Sequence, residues 1–291
     1  MLKVERNEPY DVNSVFEKKE FTRNGYTLRY RLYIPRNYDC GEMYPLVLFL
    51  HGAGERGSDN EKQMTVALPT IFADPSSPVY DSIVMAPQCP EGRQWVASDY
   101  ETGTYSIADT PETAVLENTL AALDEVIKEY NVDVDRIYVT GISMGGYGTW
   151  DLLSRHGARF AAGMPICGGG DPTYAKLLKR IPIRTFHGNA DPAVPVTGTR
   201  KMFASIRKAG GENISYTEFD GWSHNVWDKA YSDTSNFVWM FEQSLVERKK
   251  EAEKKSKIKK LATAGGVAGV LVSLAVFFLG SKKNNKKKNK K

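Results

Sequence analysis

Apolar residues along this 291-residue chain gather into short runs, interrupted by polar segments rich in glycine and proline. The run Pro45-Leu46-Val47-Leu48-Phe49-Leu50 has no polar position to turn toward water, which predicts a strand buried on both faces of a parallel sheet. Arg136-Ile137-Tyr138-Val139-Thr140 predicts a second strand, and 147–154 predicts the helix that follows it. Thr185-Phe186-His187 reads as a strand end and 215–219 as a further short strand. The segment 87–111, which holds Trp95, Tyr100 and Tyr105, is the longest irregular stretch.

About 245 residues precede a basic tail, enough for a single α/β domain (1–245) with a large core, and no internal repeat is evident. Within the tail, 261–280 is a run of twenty residues without a charge. At 1.5 Å per residue such a helix would span about 30 Å, the thickness of a bilayer core, so a transmembrane helix is expected there. Residues 246–260 would form a basic stalk before it and 281–291 a lysine-rich tail after it. Gly265 and Gly269 have the G-x-x-x-G spacing that would let two such helices pair into a homodimer. The start of the chain, Met1-Leu2-Lys3-Val4-Glu5-Arg6, lacks an apolar secretory core, so the expected topology is a single-pass C-terminal anchor with the folded domain in the cytoplasm.

Charge separates the two parts further. The net +4 hides a tail with 15 Lys+Arg against 3 Asp+Glu from Val246 onward, and a domain with 24 against 32, or −8. An acidic domain argues against a nucleic-acid face, and the lysine clusters fit anionic lipid headgroups better. Three cysteines, Cys40, Cys89 and Cys167, show no C-x-x-C or zinc spacing and fit a reducing compartment. With four histidines and no Walker loop or Rossmann fingerprint, neither a cofactor nor a metal is expected.

Chemistry enters at Gly141-Ile142-Ser143-Met144-Gly145, where a G-x-S-x-G pentapeptide lies between a predicted strand and a predicted helix. That context describes a nucleophile elbow, in which small neighbours let strand, turn and helix approach closely and the serine hydroxyl stands exposed. The plain alternative is an ordinary helix N-cap. A nucleophilic serine needs a base and an acid to orient it. Asp191, a few residues beyond the strand end at His187, stands where the acid belongs, and His224, in the polar loop Asp220-Gly221-Trp222-Ser223-His224-Asn225, where the base belongs. Asp171 and Asp220 compete for the acid role but sit in turn-like contexts, and His51 and His187 read as structural residues beside glycines. For the oxyanion, the N–H of Met144 is the first expected donor and that of Ala53 the second, with Gly54 as its alternative, in the loop His51-Gly52-Ala53-Gly54. Trp95 and Trp222 are candidate walls of a substrate pocket, and Trp227 also flanks His224.

Taken together, Tyr30-Arg31-Leu32-Tyr33-Ile34-Pro35, His51-Gly52-Ala53-Gly54-Glu55-Arg56-Gly57, Ala86-Pro87-Gln88-Cys89-Pro90, Gly141-Ile142-Ser143-Met144-Gly145-Gly146 and Gly188-Asn189-Ala190-Asp191 resemble bacterial α/β-hydrolase serine esterases. The likeness is to the carboxylesterase, feruloyl-esterase-like and phospholipase/carboxylesterase group, which borders the prolyl oligopeptidase catalytic domain. It covers about residues 15–245. It implies an α/β-hydrolase fold, a mostly parallel central sheet with helices on both faces. It also implies cofactor-free hydrolysis of a small or oligomeric carboxylic ester through an acyl-enzyme. A serine peptidase, a lipid acyl-ester hydrolase and a noncatalytic binding module that keeps the fold stand as alternatives.

Overall fold

In the computed structural model, which describes residues 9–264, eight strands form one sheet. They are β1 (Phe16–Arg23), β2 (Tyr26–Tyr33), β3 (Tyr44–Leu50), β4 (Ile83–Gln88), β5 (Val132–Ile142), β6 (Ala162–Ile166), β7 (Ile183–Gly188) and β8 (Ile214–Phe219). Their order across the sheet is β1-β2-β4-β3-β5-β6-β7-β8. The pairs β1·β2 and β2·β4 are antiparallel, and every later pair is parallel. The described helices are α1 (Val12–Val15), α2 (Leu68–Ile71), α3 (Ala114–Glu129), α4 (Met144–His156), α5 (Ala175–Leu178), α6 (Val196–Lys208), α7 (Trp227–Ser232), α8 (Ser235–Phe241) and α9 (Leu245–Ala264).

The apolar run at 45–50 becomes the middle of the sheet for the reason its composition suggests. Every residue of β3 is buried, and side chains alternate between two cores: Leu46, Leu48 and Leu50 on one face, Val47 and Phe49 on the other. The first core packs Leu116, Leu120 and Leu123 of α3 and Trp150 and Leu153 of α4 against the sheet. The second packs Tyr231 of α7 and Phe237 and Met240 of α8 against the other face. Strand β5 begins at Val132, which pairs with Tyr44 of β3; the register then shifts, and pairing resumes at Ile137 with Asp133, Val134, Asp135 and Arg136 partly open to solvent. The carbonyl ends of β3, β5, β6, β7 and β8 lie together at one edge of the parallel section, the place where open α/β sheets carry ligands.

The chain divides into two compact units, Met1–Leu245 and Val246–Lys291. The transmembrane helix expected at 261–280 is not found: among the described residues no helix is long and apolar enough to cross a membrane. Its first four residues end α9, a twenty-residue helix in which eleven residues are Lys, Arg or Glu. All eleven lie within 247–260, inside the expected basic stalk. Residues 265–280, with Gly265 and Gly269, and the tail 281–291 lie outside the described residues.

One glycine controls how α4 seats on the sheet. A Cβ at Gly145 would collide with the Leu50 carbonyl oxygen, whereas one at Gly54 would meet nothing within 4 Å. Gly145→Ala is therefore expected to lose about 3 kcal/mol or more in urea unfolding, and Gly54→Ala less than about 0.5 kcal/mol. Equal stabilities for the two variants would contradict this packing.

Candidate active site

Ser143 sits between the last residue of β5 and the first of α4 with φ 54° and ψ −117°, a left-handed conformation for a non-glycine residue. The backbone holds it there because its neighbours leave no alternative: a Cβ at Gly141 would strike the Gly145 carbonyl and one at Gly146 the Ile166 carbonyl. The Ser143 N–H donates to Ile166 O at 3.0 Å, tying the turn to the end of β6. Although Ser143 occupies the N-cap position, its hydroxyl makes no capping bond. It stands instead 2.8 Å from His224 Nε2.

His224 reaches that point from the loop after β8. The loop is locked to the one after β7: Ala190 N–H donates to Trp222 O, and at Gly188 a Cβ would run into the same carbonyl. His224 Nδ1 lies 2.6 Å from Asp191 Oδ2, and the Trp227 ring meets the imidazole edge-on at 5.4 Å. A ring nitrogen facing a carboxylate carries the proton, which leaves Nε2 as a lone-pair acceptor for the Ser143 hydroxyl.

The Asp191 carboxylate is saturated with donors. Oδ1 accepts from the amides of Ala193 and Val194 at 2.8 and 2.9 Å, and Oδ2 accepts from both His224 and His187. Burial by itself would raise its pKa. The hydrogen bonds from His187, His224 and the Val194 amide outweigh burial and hold the group well below the usual carboxylate range. The competing acids are engaged elsewhere. Asp171 accepts from Ile107 and Thr173, Asp220 accepts from the Asn189 amide, and neither oxygen set meets His224.

The remaining wall is the turn after β3. A Cβ at Gly52 would stand 3.6 Å from Ser143 Cβ, so this backbone passes at contact distance from the serine. Ala53 then opens a single 3-10 turn, Ala53–Glu55. Met144, the first residue of α4, has an amide with no partner inside its helix, at the positive end of the dipole. His51 anchors the turn from below: Nδ1–H donates to Gly52 O at 2.6 Å and Nε2 accepts from the Cys89 amide at 2.9 Å. That pattern needs a neutral ring, and burial lowers the His51 pKa to about 4. Arg56 Nε adds a bond to Ala53 O at 2.8 Å.

The structure brings Ser143, His224 and Asp191 together, with Met144 next to the serine in the chain, the Gly52 backbone at contact distance from it, and Gly54 exposed in the same turn. Trp95 is corrected. Its ring is wholly buried, and its indole N–H donates to His51 O at 3.0 Å, so it supports the turn from inside and has no free surface for a substrate. Trp222 is 37% exposed, under the Lys229 ammonium at 4.1 Å. In the irregular segment, Tyr100 and Tyr147 pair at 4.9 Å, and Tyr105 is tied away from the serine to Asp151. His187, set aside as structural from its sequence context, touches Asp191 directly. The spacing His187-Gly188-Asn189-Ala190-Asp191 was the available signal, since both ends of so short a turn can face inward.

Comparison with known proteins points the same way. The description of the prolyl oligopeptidase family matches residues 104–185, which include Ser143. The chain is 33% identical over 88 residues to the bifunctional acetylxylan esterase/xylanase XynS20E of Neocallimastix patriciarum, covering 30% of this chain and 13% of that protein. It is 27% identical over 216 residues to the putative esterase NocK of Nocardia uniformis subsp. tsuyamanensis, covering 72% of this chain and 59% of that one. A crystal structure of a thermostable esterase superposes with TM-score 0.71 and 35% identity over 80% of this chain and 64% of the other. The chain thus spans less than two thirds of each of these relatives.

The neutral, buried His51 makes stability depend on pH. In the unfolded chain it takes up a proton as pH falls through 6.5, but in the folded chain only near 4, so the unfolded state binds more protons in that window. Its contribution is complete above pH 6.5 and lost as pH falls toward 4, up to about 3 kcal/mol. Urea midpoints of wild type should drop more steeply between pH 7 and 4.5 than those of His51→Gln. Parallel curves would contradict a neutral His51.

Proposed function

We propose that this chain, a member of the α/β-hydrolase superfamily of serine hydrolases, cleaves carboxylic esters through an acyl-enzyme on Ser143. The observation that carries this reading is the unbroken line from Ser143 Oγ to His224 Nε2 at 2.8 Å and from His224 Nδ1 to Asp191 Oδ2 at 2.6 Å, with the serine on a left-handed turn. The esterase names of the relatives favour esters as the substrate class.

The steps follow from the atoms in place. Ser143 Oγ attacks the ester carbonyl carbon as its proton passes to His224 Nε2, and the carbonyl oxygen becomes an oxyanion. The amides of Met144 and Ala53 are the donors for that charge, and each such donor is worth about 3 kcal/mol in the transition state. Collapse of the intermediate breaks the bond to the alcohol oxygen, which takes the proton from His224 and leaves. Water then repeats the sequence on the acyl-serine, returning Ser143 and releasing the acid. Throughout, the ionised Asp191 keeps the proton of His224 on Nδ1 and stabilises the imidazolium that forms.

A peptidase is the second reading, favoured by the prolyl oligopeptidase family match at 104–185. Turnover of p-nitrophenyl esters from acetyl to palmitoyl, beside short blocked peptides, separates the two and reports the acyl length accepted. Ester hydrolysis should exceed peptide cleavage. Ser143→Ala should stay folded and lose nearly all turnover, and Asp191→Asn should lose about 10³- to 10⁴-fold in kcat because its amide no longer favours the Nδ1–H tautomer. Unchanged hydrolysis in folded Ser143→Ala would sink the proposal.

A further inference from the structure

The carboxylate that orients His224 carries a second imidazole on the same oxygen. His187 Nε2 lies 3.0 Å from Asp191 Oδ2 and 3.1 Å from Val194 O. Both partners are acceptors, so this nitrogen bears a proton and donates. On the other side of the ring, Nδ1 is 2.7 Å from Thr199 Oγ1, and that hydroxyl, with one proton to give, also lies 2.7 Å from Gly168 O. His187 and Thr199 are both fully buried, at 0% exposure. Val194 O alone would satisfy Nε2 in a purely structural histidine, yet the ring also reaches the oxygen that His224 uses.

These bonds join into a loop that returns to the nucleophile. Gly168 stands two residues beyond Ile166, whose carbonyl accepts the Ser143 N–H. From there the path runs through Thr199 on α6, His187 on β7, Asp191 and His224 to Ser143 Oγ. Within it, the carboxylate is fixed at both oxygens: two amides hold Oδ1 and two imidazoles hold Oδ2. Rotation of that group would swing Oδ2 away from His224 Nδ1 and turn Nε2 off the serine.

We propose that His187 is a positioning residue for the site's acid. Its Nε2–H fixes the rotation of the Asp191 carboxylate, and through it the direction in which His224 Nε2 points, with Thr199 holding the ring from behind. The inference rests on the serine-esterase reading of Ser143, Asp191 and His224. Because His187 is buried behind Asp191, its loss should lower kcat and leave KM unchanged.

The test uses the full chain and p-nitrophenyl acetate, with the folded fraction of each variant measured by circular dichroism. His187→Ala should lose about 10- to 100-fold in kcat with KM within about twofold, the scale expected when a catalytic group is misplaced. His187→Gln, which places an amide N–H near the position of Nε2, should recover most of that loss. In an Asp191→Asn background, His187→Ala should cost less than about threefold more, because the group it positions is already lost. Wild-type kcat in folded His187→Ala would overturn the proposal, as would equal losses in the Ala and Gln variants that add fully to that of Asp191→Asn. If His187→Ala does not fold, Thr199→Val decides: a fall in kcat at constant KM supports the clamp, and wild-type kcat overturns it. A wild-type chain inactive on every ester would instead refute the ester reading. The clamp would then be judged by whether His187→Ala slows phosphonate labelling of Ser143 relative to wild type.

Discussion

The first turn of α4 lies so close to the carbonyl ends of β3, β5 and β6 that side chains cannot fit between them. Gly145 faces the Leu50 carbonyl, Gly146 the Ile166 carbonyl, and Gly141 the Gly145 carbonyl. That approach leaves Ser143 a left-handed conformation, which costs on the order of 1–3 kcal/mol and is sustained by the packing around it. It also lifts the serine hydroxyl out of a capping role and leaves the Met144 amide at the open end of the helix. The proposed nucleophile and the first proposed oxyanion donor therefore come from a single backbone constraint.

Around that fixed point, two buried groups are tuned in opposite charge states by their surroundings. His51 has a carbonyl on one nitrogen and an amide N–H on the other, a pattern only a neutral ring can satisfy, and burial reinforces it. Asp191 has donors on both oxygens, enough to keep it ionised against the same desolvation. The neutral ring holds the turn of Gly52 and Ala53 without placing a positive charge beneath it. The ionised carboxylate holds the tautomer of His224. Burial decides the state of His51, whereas hydrogen bonds decide that of Asp191 against burial.

What was legible in the sequence was local in sequence. The elbow glycines surround Ser143 within five residues, and β3 is apolar on both faces over its whole length. Strand β1, Phe-Glu-Lys-Lys-Glu-Phe-Thr-Arg, was hidden because an edge strand with one neighbour keeps polar residues facing water. Two contacts stayed hidden for a related reason. The contact of Trp95 with His51 spans 44 residues, and that of His187 with Thr199 depends on where α6 docks. The span expected at 261–280 rested on twenty uncharged residues, of which only the four that end α9 are among the described residues.

The central claim is that His224 and Asp191 make Ser143 an activated nucleophile. A fluorophosphonate, which reacts with an activated serine and leaves a stable adduct, followed by peptide mass spectrometry of the full chain, tests it most directly. One phosphonyl group on the peptide containing Ser143, lost in His224→Ala, is the expected result. No adduct, or one on a different residue, would contradict it.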